Sequence, residues 1–317
     1  DSPIQNLRPP SRTSYFVIQR FRSPIEYQQP PTMNIILAKH YGMCFGVRDA
    51  LKATKAAATS GPTTILGQLV HNEVVTEQLN QLGVRHGHLR NPDSAETPQV
   101  VITAHGAADR DRSAWRERGF RVTDTTCPLV KKAHNALAEL VLAGYHPVVI
   151  GKAAHVEVLG LTGDFPAADV VLSEAEIENL SPQAKFGVVS QTTQPTALVT
   201  QLVAHLRGRF PDSEIEFIDT VCQPTKDRQS ALRDLCQQVD VVIAVGGRHS
   251  NNTHQLVKTA QSYGVRAYRI GTAEELRDEW FHGVETVGVT AGTSTLHETV
   301  QEVYEVLRAR EEAYACT

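Results

Sequence analysis

Residues 124–134 read DTTCPLVKKAH, and residues 219–229 read DTVCQPTKDRQ. Each time, an Asp-Thr-x-Cys phrase ends a β-branched apolar run and passes into a basic stretch of helical period. A third stretch, MCFGVRDAL at 43–51, lacks the Asp-Thr but keeps the remainder. The third residue after the cysteine is Val47, Val130 or Thr225, and the fourth is Arg48, Lys131 or Lys226. The chain therefore carries a weak internal repeat centred on Cys44, Cys127 and Cys222, each falling where a strand hands over to a helix.

The same handover recurs along the chain from Met33 onward. Strand-like runs NIILA, TTILG, VVITA, FRVTD, HPVVIG, FGVVS, EIEFID, VDVVIAV, VRAYRI and TVGVTAG alternate with helical patterns over 45–59, 73–83, 108–118, 128–143, 155–162, 194–209, 224–237, 251–263, 272–279 and 295–311. Strands alternating with helices predict βαβ units and an α/β fold of mainly parallel sheets covered on both faces. The cysteine phrases mark off three lobes, expected over 33–127, 128–221 and 222–317. Residues 1–32 have proline pairs at both ends and no sustained period, and are read as a flexible extension, either a transit-peptide remnant or an upstream start.

Bulk properties exclude several classes. A formal charge of −4 on 317 residues argues against a nucleic-acid partner, which calls for a basic face. No run approaches the roughly 18 to 20 apolar residues that span a bilayer, and residues 1–32 hold no apolar signal core. Membrane insertion and secretion are not expected. Five widely spaced cysteines, an odd number, fit a reducing, cytoplasmic setting better than a disulfide framework.

In parallel sheets, sites lie just beyond the carboxyl ends of the strands. Here those ends are polar: His71 and Asn72, His105, His155 and Glu157, Thr192, Ser250 and Asn252, and Ser294. For any one of these residues an ordinary polar loop is an equally good reading. The cysteines sharpen the choice. A lone cysteine is ordinarily a small buried hydrophobe, but three in equivalent places of a repeat would converge near a pseudo-threefold axis. Helix N-termini and the basic residue four positions on favour their thiolates. Structural zinc takes four ligands, often as CxxC pairs, which are absent. Three thiolates fit an iron–sulfur cluster with one iron open, a Lewis-acid position for a small oxygenated ligand. Cys236 and Cys316 have no counterpart in the repeat and are read as structural.

These residues resemble the LytB or IspH family of 4-hydroxy-3-methylbut-2-enyl diphosphate reductases. The resemblance runs from about Asn34 to Leu307 and rests on nine motifs in order: GMCFGV, GQLVHN, TAHG, DTTCPLV, HVEV, SQTT, DTVC, GGRHSNNT and TAGTS. It implies a trefoil of three α/β lobes around a central [4Fe-4S] cluster held by Cys44, Cys127 and Cys222. It implies a diphosphate cradle of His71, His105, His155, Thr192, Ser250, Asn251, Asn252 and Ser294. Glu157 is implied as the proton source, with His155 and Thr192 completing its relay. The implied reaction is reductive dehydroxylation in the non-mevalonate isoprenoid pathway, with ferredoxin or flavodoxin as electron donor. Asn251 departs from the family, where many members have a second serine, so one diphosphate hydrogen bond is replaced or lost. His249 and His254 flank the same loop and are read as surface histidines.

Three other readings compete. A dehydratase similar to quinolinate synthase would select carboxylates and favour arginines at the strand ends. A non-catalytic iron–sulfur sensor would need no proton donor such as Glu157. A plain α/β binding protein would simply bury its cysteines.

Overall fold

The computed structural model describes residues 33–315, with side chains described to residue 310. The extension over 1–32 and Cys316 lie outside the described residues. The described chain begins with strand β1 (Asn34–Leu37) and then builds three four-stranded sheets. The first contains β2 (Thr63–Leu66), β3 (Arg85–Gly87), β4 (Gln99–Ile102) and β5 (Arg121–Asp124), in the order β3-β2-β4-β5. The second contains β6 (His146–Ile150), β7 (Asp169–Val171), β8 (Lys185–Ser190) and β9 (Glu214–Phe217), in the order β7-β6-β8-β9. The third contains β10 (Val241–Val245), β11 (Arg266–Ile270) and β12 (Thr286–Ala291), in the order β11-β10-β12-β1. Every strand pair is parallel.

The three orders are one pattern: second strand, first, third, fourth. In the third sheet the fourth place is taken by β1, whose Asn34–Leu37 pairs with Thr286–Val289. The first lobe expected from residue 33 is therefore corrected, because β1 belongs with residues 241–291. The free edge of β12 accepts it, so β1 becomes the edge strand and the third sheet takes the same four-strand order as the other two. The cysteine repeat then becomes intelligible, since Cys44, Cys127 and Cys222 each follow the fourth strand of a sheet, β1, β5 and β9. Each is the N-cap of the helix that crosses to the next lobe: α1 (Phe45–Ser60), α4 (Pro128–Leu142) and α8 (Gln223–Cys236).

Local sequence accounts for these elements. Strand β10 is VVIAV and is buried along its whole length, as a central parallel strand must be. Helix α4 starts on Pro128, whose missing N–H costs nothing in a first turn. It buries Val130, Ala133, Leu137 and Leu140, a stripe at helical spacing. It ends before Gly144, whose φ of +85° a residue with a side chain adopts only at a cost. Each sheet carries one apolar cluster on either face, as around Ile65 and Trp115 in the first lobe.

Short elements depart from expectation. Strands β3 and β7, three residues each, and helix α6 (Glu174–Glu178) are too brief to leave a period in the sequence. The helix expected over 272–279 is instead two 3-10 turns, Ala273–Glu275 and Asp278–Phe281. Leu276 between them is extended, with ψ 133°, so that both it and Phe281 reach the core of the third sheet.

Helix α5 (Val156–Thr162) of the second lobe packs closely on the first. Gly160 lies against the backbone of Ala107, and a side chain at Gly163 would meet Ala108 Cβ at 2.5 Å. The Asp164 carboxylate accepts the N–H groups of Asp109, at 2.6 Å, and Arg110, at 3.0 Å, which begin helix α3 (Asp109–Glu117). That contact caps α3 and locks α5, the helix carrying Glu157, against its neighbour.

Candidate active site

Pseudo-threefold equivalence extends to hydrogen bonds. The N–H groups of Cys44, Cys127 and Cys222 donate to the carbonyls of Thr293, Ala104 and Thr192, each at 3.0 Å. Those carbonyls stand two residues past the ends of β12, β4 and β8, the third strands of their sheets. Five residues past the first strands β10, β2 and β6 come Ser250, His71 and His155. The Asp-Thr-x-Cys phrase also has a structural reading. Asp124 accepts the Thr126 N–H at 2.9 Å and pairs with Lys131 at 3.6 Å. Asp219 does the same with Val221, at 3.1 Å, and Lys226, at 2.7 Å. In both cases the turn before the cysteine is closed and tied to the helix after it.

All twelve residues expected at the site line one central cavity: Cys44, Cys127, Cys222, His71, His105, His155, Glu157, Thr192, Ser250, Asn251, Asn252 and Ser294. Val47, Val70, Ala104, Leu129 and Val130 give it an apolar wall, and no lysine or arginine among the described residues lines it. His71, His105 and His155 form a triangle with ring centroids 4.6, 5.3 and 5.5 Å apart. One ring nitrogen from each lies within 4.8 Å of the others. Burial is the main cause that lowers all three: His155 falls to about 4, with His71 and Lys152 adding to it; His105 falls well below its ordinary value, with His71 and His155 adding; and His71 is lowered further by His249 and Lys152 against the pull of Glu73. His105 Nδ1 is buried with no protein partner. His71 Nδ1–H donates to Gln68 Oε1 at 3.0 Å, which leaves its Nε2 for the cavity.

Glu157 is 2% exposed. Its Oε1 accepts the Thr192 N–H at 2.6 Å and its Oε2 the Thr192 hydroxyl at 3.0 Å. Burial pushes the carboxyl up to about 7, and the two Thr192 bonds only partly oppose this. His155 meets this residue differently from the expected relay. It caps α5, with Nδ1 accepting the Glu157 backbone N–H at 3.2 Å, and makes no bond to the carboxylate. Its proton is therefore on Nε2. Asn252 occupies in the third lobe the slot of Glu157 in the second: its Oδ1 accepts the Thr293 N–H at 3.0 Å. Ser250 caps helix α9 (Asn251–Ser262), accepting from the Thr253 N–H at 3.3 Å. The Ser294 hydroxyl donates to the His71 carbonyl at 3.4 Å. Asn251 Nδ2 reaches Thr193 Oγ1 at 3.4 Å. His249 and His254 are exposed and outside this cavity.

Three contributors were missed in the sequence. Thr193 lines the cavity at the position equivalent to His105 and Ser294, three residues past its strand, and register in the repeat is the signal that finds it. Gly46 lies so near Cys127 that a Cβ would sit 2.3 Å from its Sγ. Arg228 is buried, 6% exposed, with Nη1 donating to Pro224 O at 2.7 Å and Nη2 to Gly42 O, in the loop before Cys44. Nothing in the repeat announces it, since the equivalent residues are Ala50 and Ala133.

The donor set suits an iron–sulfur cluster. The described cysteines form no disulfide, and three of them face one cavity. Burial raises the Cys127 thiol and pushes Cys222 up to about 11, outweighing the helix N–H groups expected to favour thiolate. Such thiols give up their protons to an arriving metal rather than to water. Arg228 points the same way. Its Nε is buried without a partner, and no carboxylate bonds it. Burial works against its charge, and Cys44 and Cys222 are the first groups that favour it. A buried guanidinium calls for negative charge, which thiolates on a cluster supply.

Known proteins resemble this chain over most of its length. The family model described as LytB protein matches residues 35–308. The 4-hydroxy-3-methylbut-2-enyl diphosphate reductase of Aquifex aeolicus is 34% identical over 277 residues, covering 86% of this chain and 94% of that protein. Its counterpart from Pelobacter propionicus is 38% identical over 275 residues, covering 86% and 96%. Among solved structures, the E-1-hydroxy-2-methyl-but-2-enyl-4-diphosphate reductase of Plasmodium falciparum superposes with a TM-score of 0.82 at 26% identity, covering 87% of this chain and 88% of that one. A trefoil of parallel α/β lobes, three cysteines at equivalent handovers and a match across most of its length together mean that this chain belongs to the LytB protein family.

Proposed function

We propose that this chain is a 4-hydroxy-3-methylbut-2-enyl diphosphate reductase. It converts that allylic alcohol, with two electrons and two protons, into isopentenyl and dimethylallyl diphosphates plus water. The observation that carries the reading is the cavity itself: a buried carboxyl pushed up to about 7 lines one cavity with three cysteines and three neutral histidines.

A [4Fe-4S] cluster on Cys44, Cys127 and Cys222 would supply the electrons and a Lewis-acid position for the substrate hydroxyl. The remaining work falls to the chain. His105, His155, Ser250 and Asn252 offer N–H and O–H donors to a diphosphate, His71 joins them when the anion draws a proton onto its Nε2, Ser294 joins them by turning its hydroxyl from the His71 carbonyl, and Asn251 and Thr193 extend that rim. The apolar wall of Val47, Val70, Leu129 and Val130 suits the branched C5 hydrocarbon and excludes water around it. Glu157 holds a proton near neutral pH, oriented by Thr192, and delivers it to the leaving hydroxyl. Without a lysine or arginine in the cavity, a carboxylate-selecting dehydratase similar to quinolinate synthase is not favoured. A sensor gives no reason to bury Glu157.

No helix among the described residues is long and apolar enough to cross a membrane. A reducing cytoplasmic compartment and a ferredoxin or flavodoxin donor complete the reading. The test is an anaerobic assay of the iron-loaded chain with a chemical reductant. Formation of the two C5 diphosphates is expected, and a loaded chain that leaves the allylic alcohol untouched contradicts the proposal.

A further inference from the structure

Next to the central cavity is a second one of about 650 Å³, against about 80 Å³ for the first, and the two share His71, His155 and Asn251 in their walls. All three lobes contribute to it, through Gln68, Lys152 and Arg248 for example. Its charged lining is of one sign: Lys152, Arg248 and Lys258, with His249 and His254 beside them and no carboxylate. All three cations are exposed, and none forms an ion pair among the described residues. Two carboxylates accept backbone N–H groups of lining residues, Glu73 from Arg248 at 3.1 and 3.3 Å and Glu176 from Leu172 at 2.6 Å, and neither lines the basin itself. A one-sign basin on a chain of net charge −4 is a local feature and does not follow from the overall charge. Its field also reaches inward, since Lys152 lowers both His71 and His155, and His249 lowers His71.

We propose that this basin is an outer anion site that receives the diphosphate before it passes to the neutral histidine cradle. The inference rests on the reductase reading and deepens it. The central cavity offers hydrogen-bond donors but no fixed positive charge, so it cannot attract a polyanion from a distance. The basin supplies that attraction in water-exposed surroundings, where charge raises the encounter rate more than the final affinity. Lys152 approaches from the second lobe and Arg248 and Lys258 from the third, so an anion seated there touches the shared wall of His155 and Asn251.

The test compares the iron-loaded chain with a Lys152→Gln, Arg248→Gln, Lys258→Gln triple variant across ionic strength, using a chemical reductant. Expected are a kcat within about twofold, a kcat/KM about tenfold lower at low salt, and a flattened salt dependence. Calorimetry with inorganic pyrophosphate, which needs no turnover, is expected to give severalfold weaker binding. Unchanged kcat/KM and unchanged salt dependence overturn the proposal. A loss seen only when an acidic protein is the reductant also overturns it and makes the basin a protein dock. If neither chain turns over but pyrophosphate binding weakens in the variant, the reductase reading falls while the anion site stands.

Discussion

Thr192 binds Glu157 at both oxygens, through its N–H at 2.6 Å and its hydroxyl at 3.0 Å, while its own carbonyl accepts the N–H of Cys222. One residue thus fixes the proton-bearing carboxyl relative to a metal-ligand candidate. The backbone half of this link survives substitution by valine at 192, and the hydroxyl half does not.

Glu157→Gln preserves shape and removes the proton. Turnover is expected to fall about 100- to 10,000-fold, with iron content and KM close to wild type. In the wild type, activity on the alkaline side should decline as pH rises through about 7, because the acid form is lost there. Thr192→Val removes a bond that lowers the carboxyl's value, so the decline should move to higher pH. A pH profile of kcat for both variants checks these expectations.

Asn252→Asp keeps the acceptor for Thr293 N–H but exchanges an amide donor for a negative charge in the proposed anion cradle. KM is expected to rise about 10- to 100-fold, the worth of a hydrogen bond to a charged group plus repulsion. Iron content should not change.

Gly46→Ala forces a methyl into contact with Cys127 Sγ. Overpacking of this kind costs about 1–3 kcal/mol, and here the strain falls on a proposed cluster ligand. Lower iron content and a lower Tm are expected together. An alanine variant with full iron content would mean that α1 moves aside freely.

Arg228→Gln leaves the Cys44 loop and the start of α8 without their shared cation. Groups around a metal site commonly tune affinity by about 10- to 100-fold, so the variant should lose iron to a chelator correspondingly faster. Arg228→Lys, which keeps the charge, should recover part of that retention.

His134 provides a pH test away from the cavity. Half-buried between the first two lobes, with its Nε2 buried and unpartnered, it is lowered from 6.5 to about 4, by burial and then by Arg112, against the opposing pull of Asp109, Asp164 and Asp124. The unfolded chain binds this proton more readily, so the contribution to stability is full above pH 6.5 and is lost as pH falls through about 4. His155 adds a contribution of the same sign, and Glu157 one of opposite sign between 4.5 and about 7. Thermal unfolding of the metal-free chain should show a Tm that drops with acidification below pH 6.5, less steeply in His134→Leu.

Much of this was legible in the sequence, for a physical reason. The central strands are buried runs such as VVIAV, and the polar residues at their ends stand where parallel sheets place a site. What escaped were features set by tertiary pairing. The partner of β1 lies some 250 residues away at Thr286–Val289, and local period carries no trace of that choice. Arg228 reads as one more basic residue on a surface helix until Gly42 O is found beside it. The link from His155 to its neighbour's N–H, rather than to the carboxylate, depends on a capping geometry that spacing does not specify.

The most direct test of the central claim is iron and sulfide content, with visible absorption, in anaerobically loaded wild type and single Cys→Ser variants. About four irons per chain and a charge-transfer band are expected for wild type and for Cys236→Ser, whose residue packs in the core of the third lobe. Both should be lost in Cys44→Ser, Cys127→Ser and Cys222→Ser. A wild-type chain that takes up no iron, or a Cys127→Ser chain that keeps its full complement, would contradict the account.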